Sequence, residues 1–353
     1  MDPSADQGRV PPELKRYQRQ MRFEPLGLPG QKRLGQARVL LCGCGALGTV
    51  IADTLVRAGV GLVRIVDRDF VEWNNLQRQV LFDEEDARAG MPKAVAAAEK
   101  LRRINSQVQV EPVVADLDAR RLPQLAQDVE LILDGTDNFE TRFLINDYAL
   151  KHRVPWIYGG VIGAEGQTLV VLPGEGPCLR CLIQEPPPPG ATPTCDTAGV
   201  LAPAVHVVAA LQSLEAIKLL SGNRQAVSRY WTILSLWDNT IRQVRLAWPD
   251  QGAGCPACSS RAFPWLEGRR GSRTAVLCGR NAVQVVPDGK QSFTLQEVAQ
   301  KLQGLGPLLA NPYLVRVQVE GYELTVFDDG RAIIKGTDDE QTARSLYAKY
   351  IGA

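Results

Sequence analysis

The chain has 353 residues, 45% of them apolar and 22% charged, a balance that suits a soluble globular protein with a main domain and a smaller appendage and excludes a disordered or fibrous one. Its 40 basic and 39 acidic residues leave a formal charge of +1, so there is no broad positive field for nucleic acid or an anionic membrane. Eight cysteines, only two histidines and a start without a basic and apolar leader predict a cytoplasmic chain that uses its thiols for metal or sulfur chemistry rather than for a disulfide framework.

In chain order, residues 13–22 have helical spacing, and residues 26–35, punctuated by Gly and Pro, predict a turn region. A short apolar strand at 38–41 runs into Gly43-Cys44-Gly45-Ala46-Leu47-Gly48, and a helix over 47–58 is closed by Gly59. A second strand over 62–66 ends at Asp67, a helix spans 93–104, and strands follow at 108–114 and 129–133. A helix over 139–152 comes after Asp134-Gly135-Thr136-Asp137-Asn138. This alternation predicts an α/β fold with a Rossmann-like, mainly parallel sheet. Strands at 154–158, 167–172, 230–237 and 240–247 lie close in sequence and extend that sheet in antiparallel fashion, while 203–220 reads as a long helix. Between them, residues 184–202 hold four consecutive prolines and predict an irregular loop. A Pro-, Gly- and Arg-rich stretch at 249–271 marks a boundary, giving domains 1–262, with its core from about residue 13, and 263–353. The second is expected to be a small α+β unit, with strands at 274–286, 315–319, 324–327 and 331–334 and helices at 295–302 and 338–350.

The glycine turn carries the first chemical signal. Gly43 permits a tight turn, Gly45 lets backbone amides approach phosphate, Gly48 allows close helix packing, and Asp67 follows about 20 residues later, where an acid binds ribose hydroxyls. A purely structural glycine turn is the alternative, and the motif does not separate NAD from ATP. The polar segment Asn74-Asn75-Leu76-Gln77-Arg78-Gln79 and Lys93 at a helix start supply what attack at the α-phosphate of ATP needs, cations for the charge that spreads over phosphate oxygens. Solvated surface side chains are the plainer alternative. Asp137, just past an apolar strand, is placed to hold Mg²⁺ or to cap the following helix, and Asn138 can take the capping role beside it.

Cys178-x-x-Cys181 and Cys255-x-x-Cys258 form two pairs with the spacing of a four-thiolate zinc site that clamps remote segments, with redox or disulfide pairing as alternatives. Cys42 and Cys44 read as packing residues, and Cys278 lies in a strand pattern. Cys195, inside the irregular loop, is either a nucleophile or incidental.

Arg16-Tyr17-Gln18-Arg19-Gln20, the glycine turn, Asn75-Leu76-Gln77-Arg78-Gln79, Thr136-Asp137-Asn138, the paired cysteines and Thr194-Cys195 together closely resemble the ThiF/MoeB family of ubiquitin-activating-like adenylyltransferases, over residues 13–258. The resemblance implies ATP and Mg²⁺ as cofactors beside Zn²⁺, with Asn74, Asn75, Arg78, Lys93 and Asn138 around the nucleotide, Asp67 on ribose and Asp137 on magnesium. It implies a homodimer in which Arg19 enters the partner's nucleotide site. The substrate it implies is a small β-grasp sulfur-carrier protein ending in Gly-Gly, ThiS-like for thiamine thiazole synthesis, or MoaD-like for molybdopterin synthesis. Cys195 matches a loop cysteine that some members link covalently to the carrier. Ala46 stands where a glycine is common and is tolerated if its φ is negative. The tail has no rhodanese-type loop, so sulfur is expected from a separate sulfurtransferase or cysteine desulfurase. An NAD-dependent oxidoreductase and a catalytically silent zinc-stapled partner protein are the alternatives of another class.

Overall fold

A computed structural model describes residues 11–187, 195–248, 253–270, 275–277, 281–286 and 293–352, with backbone alone at 195–196 and 275–277. Parallel strands need crossovers long enough to hold a helix, and this chain supplies them. Five strands, β1 (Arg38–Cys42), β2 (Leu62–Asp67), β3 (Gln109–Val114), β4 (Leu131–Asp134) and β5 (Trp156–Ile162), lie parallel, and β6 (Glu165–Val171), β7 (Tyr230–Ser235) and β8 (Thr240–Arg245) continue the sheet antiparallel. The order is β3-β2-β1-β4-β5-β6-β7-β8.

The central strands are apolar on both sides because both sides are covered. Val39, Leu41, Val63, Ile65, Leu131 and Leu133 face the helices Ala46–Ala58, Lys93–Ile104 and Ala202–Leu220. Their neighbours Leu40, Cys42, Val66, Ile132 and Trp156 face Phe139–His152 and the cysteine pairs. The helix Ala202–Leu220 is long and apolar enough to cross a membrane by length and composition, and half of that window is buried inside the fold. Phe263, Trp265 and Leu266 also belong to the core on the cysteine side.

A second sheet holds β9 (Ala275–Leu277), β10 (Ala282–Val285), β11 (Leu308–Ala310), β12 (Leu314–Val319), β13 (Tyr322–Phe327) and β14 (Ala332–Lys335) in the order β11-β12-β13-β14-β10-β9, all antiparallel. Helices Leu295–Leu302 and Glu340–Tyr350 pack into its core through Val298, Leu302, Leu346 and Tyr347. The expected α/β fold, a mixed and mainly parallel sheet with a small C-terminal α+β sheet, is the one observed.

Some expectations need correction. Residues 26–35 form a helix, Gly27–Leu34, because Pro29 sits in its first turn, where a missing N–H costs no intrahelical bond. The single strand expected at 274–286 is two paired strands, β9 and β10, with Asn281 in the left-handed region at φ 45° before β10. The irregular loop contains a helical turn, Cys195–Ala198. Helices Glu84–Ala89 and Arg121–Ala126 and strand β11 were not expected; the first carries a sequence signal, the Asp83/Asp86 capping box. Thr194, Cys278, prolines 188 and 189 and parts of the boundary stretch at 249–271 lie outside the described residues.

Candidate functional site

The strand order reverses direction between β1 and β4, and ligands of open parallel sheets bind at the carboxyl ends of the strands flanking such a point. Gly43 follows β1 with φ +89°, and a Cβ there would stand 2.7 Å from the Gly135 carbonyl oxygen, beyond β4. A Cβ on Gly48 would meet the Gly43 carbonyl oxygen at 2.1 Å. Gly43, Gly48 and Gly135 thus let the two loops and the helix start touch backbone to backbone. Gly45, the residue before the helix Ala46–Ala58, has φ −86°, and a Cβ on it would find only Gln79 Nε2 at 3.9 Å. This is the side of the turn left open for a ligand at a helix N-terminus. Ala46 is absent from the residues with positive φ, so its methyl group is tolerated as expected.

These distances predict opposite outcomes for two substitutions. Gly48→Ala forces backbone apart and is expected to lower stability by about 1–3 kcal/mol, read as a drop in the urea midpoint. Gly45→Ala is expected to leave that midpoint nearly unchanged and to weaken nucleotide binding, measured by ATP titration.

Asp67 ends β2 and accepts the Cys44 N–H at 2.6 Å and the Asp69 N–H at 2.7 Å. Burial pushes its carboxyl above the ordinary value, while Lys93 opposes the shift. Lys93 is the first residue of its helix and is buried; its ammonium lies 3.3 Å from Asp69 Oδ2 and its N–H donates to the Asp69 carbonyl at 2.9 Å. Between them runs the polar segment. Asn75 is buried and bonds Asn74 Oδ1 at 2.9 Å, exposed Asn74 offers its carbonyl to Arg78 Nη1 at 2.6 Å, and Gln79 is buried with Oε1 lacking a hydrogen bond.

On the other flank, Asn138 caps the helix Phe139–His152 by accepting the Thr141 N–H at 2.8 Å. Asp137, one residue earlier, is exposed. The loop is held by groups that sequence reasoning missed: buried Asp134 accepts from Thr136 N at 2.9 Å and from Arg142 Nε at 3.0 Å, and Arg142 donates to the Thr136 carbonyl at 2.7 Å and the Gly159 carbonyl at 2.9 Å. Burial alone would depress the Arg142 guanidinium, yet Asp134, Tyr158 and Asp137 together outweigh it and Arg142 is held charged above its ordinary range. In sequence it is one more charged residue of a helix, and no local signal marks it.

The remaining site residues lie elsewhere. Arg16 bonds Asn105 and Tyr17 accepts from Asn105 Nδ2 at 2.8 Å, anchoring the leader, whereas Arg19 is exposed. Cys195 opens its helical turn, and the next residues are tied to the β5–β6 hairpin through Gly163, whose N–H donates to the Gly199 carbonyl at 2.9 Å.

The four paired cysteines gather behind the sheet, with Sγ–Sγ distances of 3.9 Å for Cys178–Cys181, 3.8 Å for Cys178–Cys255 and 3.7 Å for Cys181–Cys258. All four sulfurs lie within 4.8 Å of one another. A disulfide needs about 2.05 Å, whereas tetrahedral bonds of about 2.3 Å to one ion place sulfurs about 3.8 Å apart. The set therefore fits a closed tetrahedral metal site.

Comparison with known proteins agrees with this geometry. The ThiF family model matches residues 17–257. A sulfur carrier protein ThiS adenylyltransferase of Bacillus subtilis is 46% identical over 339 residues, covering 96% of this chain and 99% of that one. A sulfur carrier protein adenylyltransferase of Thermus thermophilus is 38% identical over 251 residues, 70% of this chain and 91% of that one. Among solved structures, Escherichia coli MccB with ATP superposes with a TM-score of 0.59 at 24% identity, over 71% of this chain and 76% of that chain, a likeness of fold.

Proposed function

This chain belongs to the ThiF family, and on that premise we propose that it uses ATP to adenylylate the C-terminal carboxylate of a small ubiquitin-like sulfur-carrier protein, ThiS-like, in thiamine thiazole synthesis. The observation that carries this reading is the meeting, at the tips of β1, β2 and β4, of the open glycine turn, the ribose-type acid Asp67 and the Asp137 loop. A carboxylate oxygen of the carrier attacks the α-phosphorus; its new P–O bond forms as the bond to pyrophosphate breaks. That carboxylate is ionised at neutral pH and needs no general base, in keeping with only two histidines.

In this reading Gly43, Gly45, Ala46 and Gly48 present backbone to the phosphates, Asp67 takes the ribose hydroxyls, and Asn74, Asn75, Arg78, Lys93 and Asn138 line the nucleotide. Asp137, an exposed oxygen donor, would hold Mg²⁺, which supplies charge neutralisation on the phosphates. Lys93 pairs with Asp69 and would share its charge with the phosphates of ATP. Zn²⁺ would sit among Cys178, Cys181, Cys255 and Cys258 in a structural role, since four thiolates leave no open coordination position.

The active form is proposed to be a homodimer in which Arg19 serves the partner's site; the exposed Arg19 and the exposed apolar Phe23, Leu28, Leu201 and Leu214 support a second copy. Sulfur would come from a separate sulfurtransferase or cysteine desulfurase, in the cytoplasm, where thiols stay reduced.

Carrier-dependent exchange of labelled pyrophosphate into ATP tests the reading. Exchange with a ThiS-like carrier exceeding that with a MoaD-like carrier is expected; a preference for the latter moves the enzyme to molybdopterin synthesis, and no exchange with either defeats it. Cys195→Ala is expected to retain exchange at near the parent rate while carrier thiocarboxylate formation falls, measured by mass spectrometry of the carrier; loss of exchange itself would contradict the assignment.

A further inference from the structure

The second sheet lies outside the matched family region, and no chemistry-bearing motif was found in it. Among the described residues it meets the first sheet's side at two places: Gln284 donates to Asp116 at 2.7 Å and Arg121 pairs with Asp329 at 3.2 Å beyond β3, and a larger set of contacts falls on one segment after β2. That segment leaves β2 at Asp67 and rejoins the fold at Lys93, and its two ends close on each other as a neck. Phe70 bridges Pro92, the Val71 N–H donates to the Met91 carbonyl at 2.8 Å, and Lys93 N–H reaches the Asp69 carbonyl. Beyond this neck the segment carries the polar stretch with Asn74, Asn75 and Arg78, and then re-enters the core through Leu81 and Phe82 and the helix Glu84–Ala89, whose Asp86 pairs with Lys100.

The second sheet grips the neck from outside. Arg331, 2% exposed, donates from Nη2 to the Arg68 carbonyl at 2.8 Å, pairs with Asp329 at 3.3 Å and lies 3.7 Å over the Phe327 ring. The Arg316 guanidinium lies 3.9 Å over Phe70, whose ring is buried with Leu314, Phe327 and Ile333. Asn311 Nδ2 donates to the Ala89 carbonyl at 3.1 Å, and Lys335 pairs with Glu72 at the start of the loop. A buried guanidinium divided between one carboxylate, Asp329, and one main-chain carbonyl just past β2 is expensive to keep unless it fixes something.

We propose that the C-terminal sheet is a positioning element for the nucleotide loop, with Arg331 as its principal positioning residue: by clamping the neck it pre-orders Asn75 and Arg78 for the triphosphate. Ordering a loop before binding removes that cost from the binding step and shows as a lower KM for ATP. The proposal deepens the adenylylation reading and rests on it for the identity of the ligand.

The test uses the full chain and compares Arg331→Met, which keeps the aliphatic stem, with Arg331→Lys, which restores charge and one donor. In Arg331→Met, amide hydrogen exchange across residues 69–79 is expected to speed up about tenfold while β1 is unchanged, and KM for ATP to rise about tenfold with KM for the carrier and zinc content unaltered. Arg331→Lys is expected to recover most of both. Faster amide exchange with an unchanged KM for ATP, or an equal rise in both KM values, overturns the proposal. Should Arg331→Met not fold, Asn311→Ala loosens the same neck and is expected to raise the KM for ATP about threefold; no rise there overturns it equally. Titration with ATP alone accompanies each assay, so a chain that binds ATP but exchanges no pyrophosphate defeats the adenylylation reading and leaves the loop result to be judged by affinity.

Discussion

Asp137→Ala is expected to lower carrier-dependent pyrophosphate exchange by about 10²–10³-fold, the loss typical when one preorganised charge-stabilising group is removed from a reacting centre. The side chain is exposed and lies one residue before the cap of Phe139–His152, so its removal leaves Asn138 on the Thr141 N–H and leaves the cysteine cluster untouched. Thermal stability and zinc content should therefore match the parent. Lys93→Ala is expected to abolish exchange too, but with a stability cost, because Lys93 is buried beside Asp67 and Asp69 and its removal takes away the cation that opposes the burial of Asp67 and one of the cations beside Asp69. Normal exchange in either variant would remove the assignment of this pocket. An unchanged rate with a higher requirement for Mg²⁺ is the expected milder outcome for Asp137→Asn, which keeps one oxygen donor.

The parts of this pocket that could be read in the sequence are those whose cause is local. A strand, a glycine turn and a helix start are written in consecutive residues, and the helix Lys93–Ile104 was placed at its observed bounds because its apolar spacing and the preceding proline are both local signals. Pro29 misled for the same reason: a proline reads as a break until the helix start is known to lie two residues before it. What could not be read depends on contacts between distant residues. Gly135 is ordinary in sequence and is required because Gly43 and Gly48 come to lie against it. Arg142 looks like a surface residue of a helix and is instead the bolt between Asp134, Thr136 and Gly159. Arg331 and Arg68 are joined across the two sheets.

The helix Phe139–His152 lies between the cysteine cluster and the pocket and touches both. Cys178 and Cys255 are buried, and the segments they clamp are tied to that helix: the Leu179 N–H donates to Asn146 Oδ1 at 3.1 Å, the Trp265 N–H to Asp147 Oδ2 at 3.0 Å, and the Phe143 and Trp265 rings lie 5.5 Å apart. Burial raises the Asp147 carboxyl to about 6, so this aspartate depends on those donors remaining in place. Cys255→Ser, or prolonged chelation, is expected to release the metal, to lower the melting temperature, and to depress pyrophosphate exchange in step. The loss of exchange follows because the same helix carries Arg142, which holds the Asp137 loop, so freeing its buried face loosens its first turn. Metal analysis, thermal denaturation and the exchange assay on one preparation separate the cases. Asp137→Ala loses exchange alone, whereas Cys255→Ser loses metal, stability and exchange together; a metal-free chain that melts and exchanges like the parent would show that the four thiols hold nothing the pocket needs.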